Sequence, residues 1–254
     1  MNFQYQPGNS FLHSVDPLNK VAWMVCISIL AFIYEDTISH VILFAAVMLI
    51  AVVLAKLSVA FIFRGIWMLA VFSLGFFVLQ VIFVPGKEIL FSIGSLSIFK
   101  ESVDFATAIT FRIITVFLTS MVFVVTTDPR DLVLSLTQHL KIPYRIAYSL
   151  SIALRFIPTL ESEAKVIEAA QVIRGVGKQK GLIHKIANFK RFTMPLLMSS
   201  IRRVHMTAIT MEARGYGAYG TRTYTRELKV TAPSIVFSLA SAAITVSLIA
   251  AKFI

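Results

Sequence analysis

Four apolar runs of 19 to 22 residues are the feature that most constrains how this chain can fold. A helix needs about 20 mostly apolar residues to cross about 30 Å of hydrocarbon, because it rises about 1.5 Å per residue. The runs are residues 37–55, 65–84, 105–126 and 232–251. A fifth run, residues 21–34, is shorter, and it crosses a bilayer only with flanking residues or where the membrane is thin. We therefore predict five transmembrane helices.

The composition is that of a chain solvated by lipid as much as by water. Hydrophobic residues make up 57% of the 254 residues, and charged residues make up only 15%. Soluble domains have about 45–50% apolar and about 25% charged residues. The single cysteine, Cys26, rules out an intrachain disulfide framework and a zinc site built from cysteines. The predicted fold class is an all-α integral membrane protein.

The Lys and Arg residues near the span ends predict the orientation in the membrane. Ten lie on the side of the N-terminus, namely Lys20, Lys56, Arg64, Arg130, Lys141, Arg145, Arg214, Arg222, Arg226 and Lys229. Three lie on the other side, namely Lys87, Lys100 and Lys252. Cytoplasmic loops carry an excess of these residues. The N-terminus is therefore predicted inside, and five spans place the C-terminus outside.

The segment between the fourth and fifth spans has a different composition. Residues 128–228 hold 16 Lys and Arg against 7 Asp and Glu, a net charge of +9. Apolar residues recur there at helical spacing, as at Val166, Ala169 and Ile173, which predicts amphipathic helices. We predict three regions: residues 1–126 with the first four spans, a cytoplasmic helical domain over residues 127–228, and a last span within residues 229–254.

One part of this segment allows two interpretations. Residues 142–158 are strongly apolar, but Arg145 and Arg155 interrupt the run. We interpret it as an interfacial or core helix, because a spanning helix of this length would carry few or no charges. A sixth span, and with it an even number of spans, stays open at this point.

Two helices of the polar segment are predicted to end in the same way. The first ends at Arg174-Gly175 and the second at Arg214-Gly215, forty positions further along. Glycine suits the left-handed residue that closes many helices. A cation at a helix C-terminus gains about 0.3–1 kcal/mol from the helix dipole, which would explain either arginine alone. Two such ends, preceded by Glu168 and Glu212, favour docking of each guanidinium into a groove that offers carboxylates or carbonyl groups.

These motifs resemble the transmembrane (T) component of energy-coupling factor transporters, which are modular, ABC-type importers of vitamins and some metal ions. The likeness covers most of the chain. The motifs are Asp16-Pro17 with Lys20, Thr126-Thr127-Asp128-Pro129 with Asp131-Leu132, Arg155-Phe156-Ile157-Pro158 with Glu163, Gln171-x-x-Arg174-Gly175, and Met211-Glu212-Ala213-Arg214-Gly215-Tyr216. The double Arg-Gly is the most specific of them. The first copy departs from the Ala-Arg-Gly pattern of the family, because Ile173 stands where alanine is usual.

The resemblance implies a non-catalytic coupling subunit in a prokaryotic plasma membrane. Arg174, Gly175, Glu212, Arg214 and Gly215 would dock onto two ABC ATPase subunits, which form a homodimer or a heterodimer. A separate small membrane subunit, the S component, would bind the substrate, which is a vitamin, a vitamin precursor or a transition metal ion. ATP would move the docked helices, and the spans would reorganise around the S component. The sequence does not identify the substrate.

No motif in the sequence predicts catalysis or a bound cofactor. A P-loop is absent from the sequence, so a partner would have to bind ATP. Gly215, Gly217 and Gly220 match the spacing of a dinucleotide-binding loop, but they follow a predicted helix rather than a strand. No metal site is predicted, because the five histidines form no i, i+4 pair. They are His13, His40, His139, His184 and His205.

A basic run between the two predicted coupling helices could attract nucleic acid or anionic lipid. It consists of Lys178, Lys180, Lys185, Lys190 and Arg191. The excess of positive charge in cytoplasmic segments explains this run, which lacks interleaved aromatic residues for base stacking. We therefore predict the lipid bilayer, and no nucleic acid, as a partner.

Arg112 is the one charge well inside a predicted span. An ionisable residue in hydrocarbon is costly and is treated as functional by default. Arg112 lies about seven residues from the start of its span, about 10 Å deep, where its side chain can still snorkel to the interface. Two interpretations stay open: an interfacial anchor, or a buried contact that fixes the helix bundle or its partner.

Two other functions stay open from the sequence alone. A self-sufficient secondary transporter or channel needs polar groups along a path through the bilayer, and often internal repeats. The spans offer little for such a path beyond His40, Gln80 and Arg112. A membrane-anchored scaffold without a transport role differs from a coupling subunit in two respects: it need not bind ATPases, and transport continues without it.

Overall fold

The computed structural model describes residues 5–86, 88–93, 96–175, 182–219, 228 and 231–253. Most of them are helical, which confirms the predicted all-α membrane fold class. The helices are α1 (Phe11–Ser14), α2 (Pro17–Ile33), α3 (Thr37–Val53), α4 (Val59–Phe83), α5 (Lys100–Thr126), α6 (Pro129–His139), α7 (Tyr144–Ile173), α8 (Leu182–Ala213) and α9 (Ala232–Phe253).

The described residues fall into two compact units. The membrane unit comprises Met1–Ser135 and Leu228–Ile254, and the hairpin unit comprises Leu136–Glu227. The first boundary falls between Ser135 and Leu136, which are both residues of α6. The functional domain predicted over residues 127–228 stays a prediction, because compactness alone does not test it.

Three described helices, α4, α5 and α9, are long and apolar enough to cross a bilayer. Helices α2 and α3 are apolar but have 17 residues each, a length of about 25 Å. Helix α3 ends before the predicted run 37–55 does, and the chain turns at Lys56, whose φ is 53°. The number of five spans thus stays a prediction, in which α2 and α3 use flanking residues or a thinned bilayer.

Helix α5 lies at the centre of the membrane unit. It packs against α2, α3 and α4 and buries small and β-branched side chains along its length. The Thr115 hydroxyl donates to the Phe111 carbonyl at 2.7 Å, and the Thr119 hydroxyl donates to the Thr115 carbonyl at 2.9 Å. These local hydrogen bonds satisfy buried hydroxyls, while the small side chains let neighbouring helices approach closely.

A buried polar cluster connects four helices at one end of the membrane unit. We call it the Asp16 cluster, and its members are Asp16, Asn19, Lys20, Thr126, Thr127, Ser135 and Ser234. Asp16 caps α2 by accepting a hydrogen bond from the Leu18 N–H at 3.2 Å. Its carboxylate also accepts from the Ser135 hydroxyl of α6 at 2.9 Å. The Asp16 N–H donates to the Ser234 hydroxyl of α9 at 2.9 Å, so one residue contacts three helices.

Lys20 is the cation of the Asp16 cluster, and it is only 2% exposed. Its ammonium group donates to the Thr126 carbonyl at 2.8 Å and to the Thr127 hydroxyl at 3.3 Å, both at the end of α5. The carboxylates of Asp16 and Asp131 interact with it electrostatically. A buried cation is tolerated when it is paired and hydrogen-bonded in this way. The cluster gives a structural role to the Asp16-Pro17, Lys20 and Thr126-Thr127 motifs.

A small β-hairpin lies between α4 and α5. Its strands are β1 (Ile89–Ile93) and β2 (Leu96–Phe99), which pair antiparallel with Ile89 opposite Phe99. The sequence analysis did not predict these strands, because runs of four and five residues are too short for a clear alternating pattern. The hairpin is the one addition to the predicted helical fold among the described residues.

In the hairpin unit, α7 and α8 pack side by side and antiparallel. Three contacts fix their direction: the Glu163–Arg203 ion pair at 3.1 Å, a hydrogen bond from Gln171 to the Arg191 carbonyl at 3.2 Å, and the rings of Tyr148 and Tyr216 with centroids 5.0 Å apart. Residues 142–158, left open above as a sixth span, belong largely to α7, which is not among the described helices apolar enough to span.

Candidate functional site

The antiparallel packing places the two Arg-Gly ends at opposite ends of the hairpin unit. Arg174-Gly175 follows the last residue of α7, and Arg214-Gly215 follows the last residue of α8. Helix α7 has 30 residues and α8 has 32, so about 45 Å of helix separates the two ends. The hairpin unit therefore presents two separate surfaces rather than one combined site.

The α8 end has the hydrogen bonds of a Schellman motif. The Gly215 N–H donates to the Glu212 carbonyl and the Tyr216 N–H donates to the Met211 carbonyl, both at 2.9 Å. Gly215 has a φ of 74°, which strains any residue with a Cβ. Among the described residues other than its chain neighbours, no atom lies within 4 Å of the place of a Cβ there, so the conformation requires glycine. The side chain of Arg214 is exposed beside this turn.

The α7 end closes in the same manner over its described part. The Gly175 N–H donates to the Val172 carbonyl at 3.0 Å, and Gly175 has a φ of 78°. Residues 176–181 lie outside the described part of the chain. Ile173, which stands where the family pattern has alanine, is 87% exposed. Its larger side chain displaces nothing in the unit, so this departure from the pattern leaves the helix end intact.

A cavity of about 510 Å³ opens beside the α8 end. Tyr144 and Tyr148 at the start of α7 form one wall, and Tyr216 and Tyr219 after α8 form another. The Tyr216 ring centroid lies 6.1 Å from that of Tyr144, and the Tyr144 hydroxyl donates to the Tyr219 carbonyl at 3.2 Å. These contacts hold the residues after Gly215 against the start of α7.

Positive charge surrounds this cavity. Arg155 and Arg214 line it, and none of the lining residues in the described part of the chain is acidic. The neighbouring Arg145 is a further cation, as arginine always is in proteins, and a hydrogen bond with Tyr144 raises its pKa above the ordinary value. An aromatic cavity with guanidinium groups suits carboxylates or carbonyl oxygens of a partner protein.

The sequence analysis named Tyr216 in a motif but did not predict the cavity or its other tyrosines. Tyr144 and Tyr148 are four residues apart and therefore lie on one face of α7, and Tyr216 directly follows the second Arg-Gly. These spacings were the only sequence signals. That the start of α7 meets the end of α8 follows from the packing of helices separated by many residues, which local spacing does not reveal.

The predicted docking residues have free charged groups. Among the described residues, the guanidinium groups of Arg174 and Arg214 and the carboxylate of Glu212 have no hydrogen bond or ion pair with another side chain. All three side chains are exposed. The docking role of these residues, with Gly175 and Gly215, stays a prediction that their geometry permits.

Arg112 lies against the C-terminal end of α2. Its Nη2 donates to the Tyr34 carbonyl at 3.0 Å and lies 3.4 Å from His40 Nε2. The guanidinium carbon lies 5.5 Å from the centroid of the Phe32 ring. A helix C-terminus and an aromatic face both attract a cation. The contacts lie within the membrane unit, and their importance for transport stays a prediction.

We expect Arg112→Leu to lower the unfolding temperature of the detergent-solubilised protein, because the Tyr34 carbonyl loses its charged donor. Loss of a hydrogen bond to a charged group costs about 1.5–3 kcal/mol. Arg112→Lys keeps the charge without the planar fork, so its stability should fall between those of the other two proteins. Normal stability, assembly and uptake of Arg112→Leu would show that the contact is dispensable.

Several residues named in the sequence analysis lie outside the described part of the chain. They are Lys87, Lys178, Lys180, Gly220, Arg222, Arg226 and Lys229, together with the side chains of His184 and Lys185. Gly215 and Gly217, the described glycines of the dinucleotide-like spacing, follow a helix and not a strand. No group of three or more His, Cys, Asp or Glu side chains converges among the described residues.

Comparison with known proteins finds the same family over nearly the whole chain. The model of the CbiQ family, described as cobalt transport protein, matches residues 8–225. This range contains both Arg-Gly ends, α1 to α8 and all members of the Asp16 cluster except Ser234.

Curated relatives resemble the chain over most of their length. An energy-coupling factor transporter transmembrane protein EcfT of Lactococcus lactis subsp. cremoris is 33% identical, covering 89% of this chain and 88% of the relative. The EcfT of Brevibacillus brevis is 34% identical over 90% and 89%. The EcfT of Thermosediminibacter oceani is 30% identical over 99% and 97%.

Proposed function

We propose, from the premise that this chain belongs to the CbiQ family and is a transmembrane component of energy-coupling factor transporters, that it couples two ATPase subunits to a separate substrate-binding subunit. The ATPase subunits bind and hydrolyse ATP. This chain transmits their motion through the membrane of a prokaryotic cell. The imported substrate is a vitamin, a vitamin precursor or a transition metal ion.

The observation that carries this proposal is the position of the two Arg-Gly ends. They lie at opposite ends of one antiparallel helix pair, about 45 Å of helix apart, so one ATPase subunit can dock at each. Each end presents an exposed guanidinium beside a glycine-closed turn. A guanidinium group binds carboxylates and carbonyl groups through several hydrogen bonds of fixed geometry. Such a contact would move together with the partner, so it could transmit a displacement of the ATPase to the helix end.

The two docking ends differ in their surroundings. Arg214 lines the tyrosine-walled cavity, whereas Ile173 beside Arg174 is 87% exposed. We infer that a protruding group of one partner enters the cavity at the α8 end. At the α7 end, the exposed side chains of this chain would instead insert into a groove on the partner. Two different ATPase subunits would suit this difference between the ends. Two identical subunits would have to bind the two ends through the same ATPase surface in two different ways.

Stiff helices would convert ATPase closure into movement of the docked ends. When the ATPase dimer closes, the two ends approach each other, and α7 and α8 shift against one another by hinge or shear motion. Ser135 of α6 donates to the Asp16 carboxylate at 2.9 Å. We infer that a displacement of α6 would reach α2, α5 and α9 through the Asp16 cluster.

An exposed apolar stripe on α8 supports docking of the substrate-binding subunit. It consists of Met194, Leu197, Ile201 and Val204, with exposed fractions between 45% and 58%. Their spacing of three and four residues places them on one face of the helix. Contiguous exposed apolar surface marks an interaction site. A small hydrophobic membrane protein is the partner that matches this stripe.

The ATPases act in the cytoplasm, so the hairpin unit and the N-terminus face inward in this proposal. The excess of Lys and Arg on that side, ten residues against three, supports this orientation. The C-terminus then lies outside. The chain contains no P-loop for ATP, which is consistent with hydrolysis by the partners.

Purification in mild detergent of a tagged copy from its native host tests the proposal. We expect one or two P-loop ATPases and a small hydrophobic membrane protein to co-elute. The molecule that this small membrane protein binds identifies the imported substrate. A secondary transporter would instead be recovered alone and would move a solute into liposomes without ATP. A scaffold would bind partners, but uptake would continue in its absence.

A further inference from the structure

An apolar groove of about 480 Å³ runs along α2 between α3 and α9. Helices α2 and α9 are parallel, since Asn19 bonds to Ser234 near their starts and the Tyr34 hydroxyl bonds to the Leu248 carbonyl near their ends. Helix α3 packs mainly on α5 and leaves a gap beside α9. The lining side chains include Trp23, Cys26, Leu30, Ile42, Ala46 and Ile244.

The dimensions of this groove suit an acyl chain. From Trp23 to Tyr34, both of which line it, the helix rises about 16 Å. The volume falls within the about 300–1,000 Å³ of pockets that take small molecules. Water does not solvate apolar side chains at this depth of a bilayer, so a hydrocarbon chain is the small molecule that matches the lining.

One end of the groove is basic. The Lys252 ammonium donates to the Ile33 carbonyl and lies 5.4 Å from the centroid of the Tyr34 ring. Arg112 donates to the Tyr34 carbonyl on the same helix end. Neither cation forms an ion pair with another described residue. Lys252 is exposed, so its remaining donors are accessible to an anion.

Further hydrogen-bonding capacity lies at this same end. His40 lines the groove, is 1% exposed, and has its Nε2 3.1 Å from the Tyr34 carbonyl oxygen. Its Nδ1 and the Nε of Arg112 are buried and have no hydrogen-bond partner among the described residues. Buried polar atoms of this kind are uncommon and call for an explanation such as a ligand or an ion.

We propose that this groove binds an anionic phospholipid. Its acyl chain lies along α2 from Tyr34 toward Trp23, and its phosphate lies at Lys252. Arg112 and His40, which contact the Tyr34 carbonyl at the same helix end, lie deeper in the membrane unit. A cation at the level of the headgroups attracts an anionic phosphate, and tyrosine and lysine side chains occupy this interfacial level, which in the predicted orientation belongs to the outer leaflet. This site is independent of the proposed ATPase docking, because it lies entirely in the membrane unit.

The two tryptophans of the chain can be probed one at a time, the buried Trp23, which is 2% exposed, inside the groove and Trp67 outside it. Trp23 lines the groove, whereas Trp67 on α4 is 60% exposed and faces the open surface. They lie six and eight residues after the first residues of α2 and α4, so their depths along the helices are similar. Trp67→Phe leaves Trp23 as the single indole, and Trp23→Phe leaves Trp67.

The experiment measures tryptophan quenching of the full chain in phosphatidylcholine vesicles with increasing fractions of chain-brominated lipid. We expect brominated phosphatidylglycerol to quench Trp23 at about a fivefold lower fraction than brominated phosphatidylcholine, the equivalent of about 1 kcal/mol for one basic side chain near anionic lipid. Trp67 should show no headgroup preference. Lys252→Ala should remove the preference at Trp23, and Lys252→Arg should keep it.

Three results would overturn the proposal. They are equal quenching of Trp23 by both headgroups, a preference that Lys252→Ala leaves unchanged, and a Trp23 that is not quenched while Trp67 is. The last result means that the groove is closed to lipid chains, as a helix from a second copy of the chain would make it. The Trp67 signal reports insertion of the Trp23→Phe protein, and flotation with the vesicles shows separately that the Trp67→Phe protein has inserted.

Discussion

Changing Arg174 and Arg214 together to glutamate is expected to reduce ATP-driven uptake to background while the protein stays folded in the membrane. Removing one partner of a buried, hydrogen-bonded charge pair at an interface costs about 2–5 kcal/mol of binding, and reversing the charge adds repulsion. The two ends are far apart, so the losses add to at least about 4 kcal/mol, or about a thousandfold in affinity. Both side chains are exposed and the capping hydrogen bonds are between backbone groups, so each substitution costs only the interaction with the helix dipole, about 0.3–1 kcal/mol, and the packing of α7 on α8 is kept.

A charge-matched control separates docking from a general effect of net charge. Lys165→Glu with Arg202→Glu makes the same change in charge on exposed side chains within α7 and α8, away from their ends. Uptake of the imported solute and recovery of the ATPases are measured for both double variants. The control is expected to keep both, and full uptake by the Arg174→Glu, Arg214→Glu protein would refute the docking assignment.

The second large effect is expected at Asp16. Asp16→Ala should lower the free energy of unfolding by about 1.5–3 kcal/mol, because the buried Ser135 hydroxyl loses its charged acceptor and the buried Lys20 keeps only one of its two carboxylate partners, Asp131. It also removes the side-chain cap of α2, which adds to the loss. Adding Lys20→Met should restore part of the stability, since an apolar side chain of similar length no longer needs a counter-charge.

Denaturant or thermal unfolding of the four proteins in detergent measures this cycle. Asp36→Ala is the matched control, because Asp36 precedes α3 at the N-cap position but forms no side-chain cap hydrogen bond and is exposed. We expect it to be close to wild type. If Lys20→Met and Asp16→Ala destabilise additively, the two side chains do not depend on each other, and the account of the Asp16 cluster is wrong.

The sequence alone predicted the features that depend on local pattern. Apolar runs of spanning length gave the membrane fold class, and the Arg-Gly pairs located two helix ends whose glycines have positive φ. Family resemblance, carried by the motifs, was confirmed by the match over residues 8–225. Each apolar run and each motif is local, because its residues lie within about 20 positions of one another.

The features that the sequence did not predict depend on contacts between distant residues. Lys20 bonds to Thr126, which is 106 positions away, and Tyr148 packs on Tyr216. The motifs around Lys20 and Thr126 were noted, but nothing in their spacing indicated that they meet. The groove along α2 is a further example, because a gap between helices depends on how three of them pack.

ATP-driven uptake into vesicles, with and without this chain, tests the central claim most directly. The ATPases and the small membrane subunit recovered with the chain are reconstituted together, and the solute bound by that subunit is followed. The account predicts uptake only when this chain and ATP are both present, with none for the Arg174→Glu, Arg214→Glu protein. ATP-driven uptake that continues without the chain, or uptake by the chain alone without ATP, would contradict it.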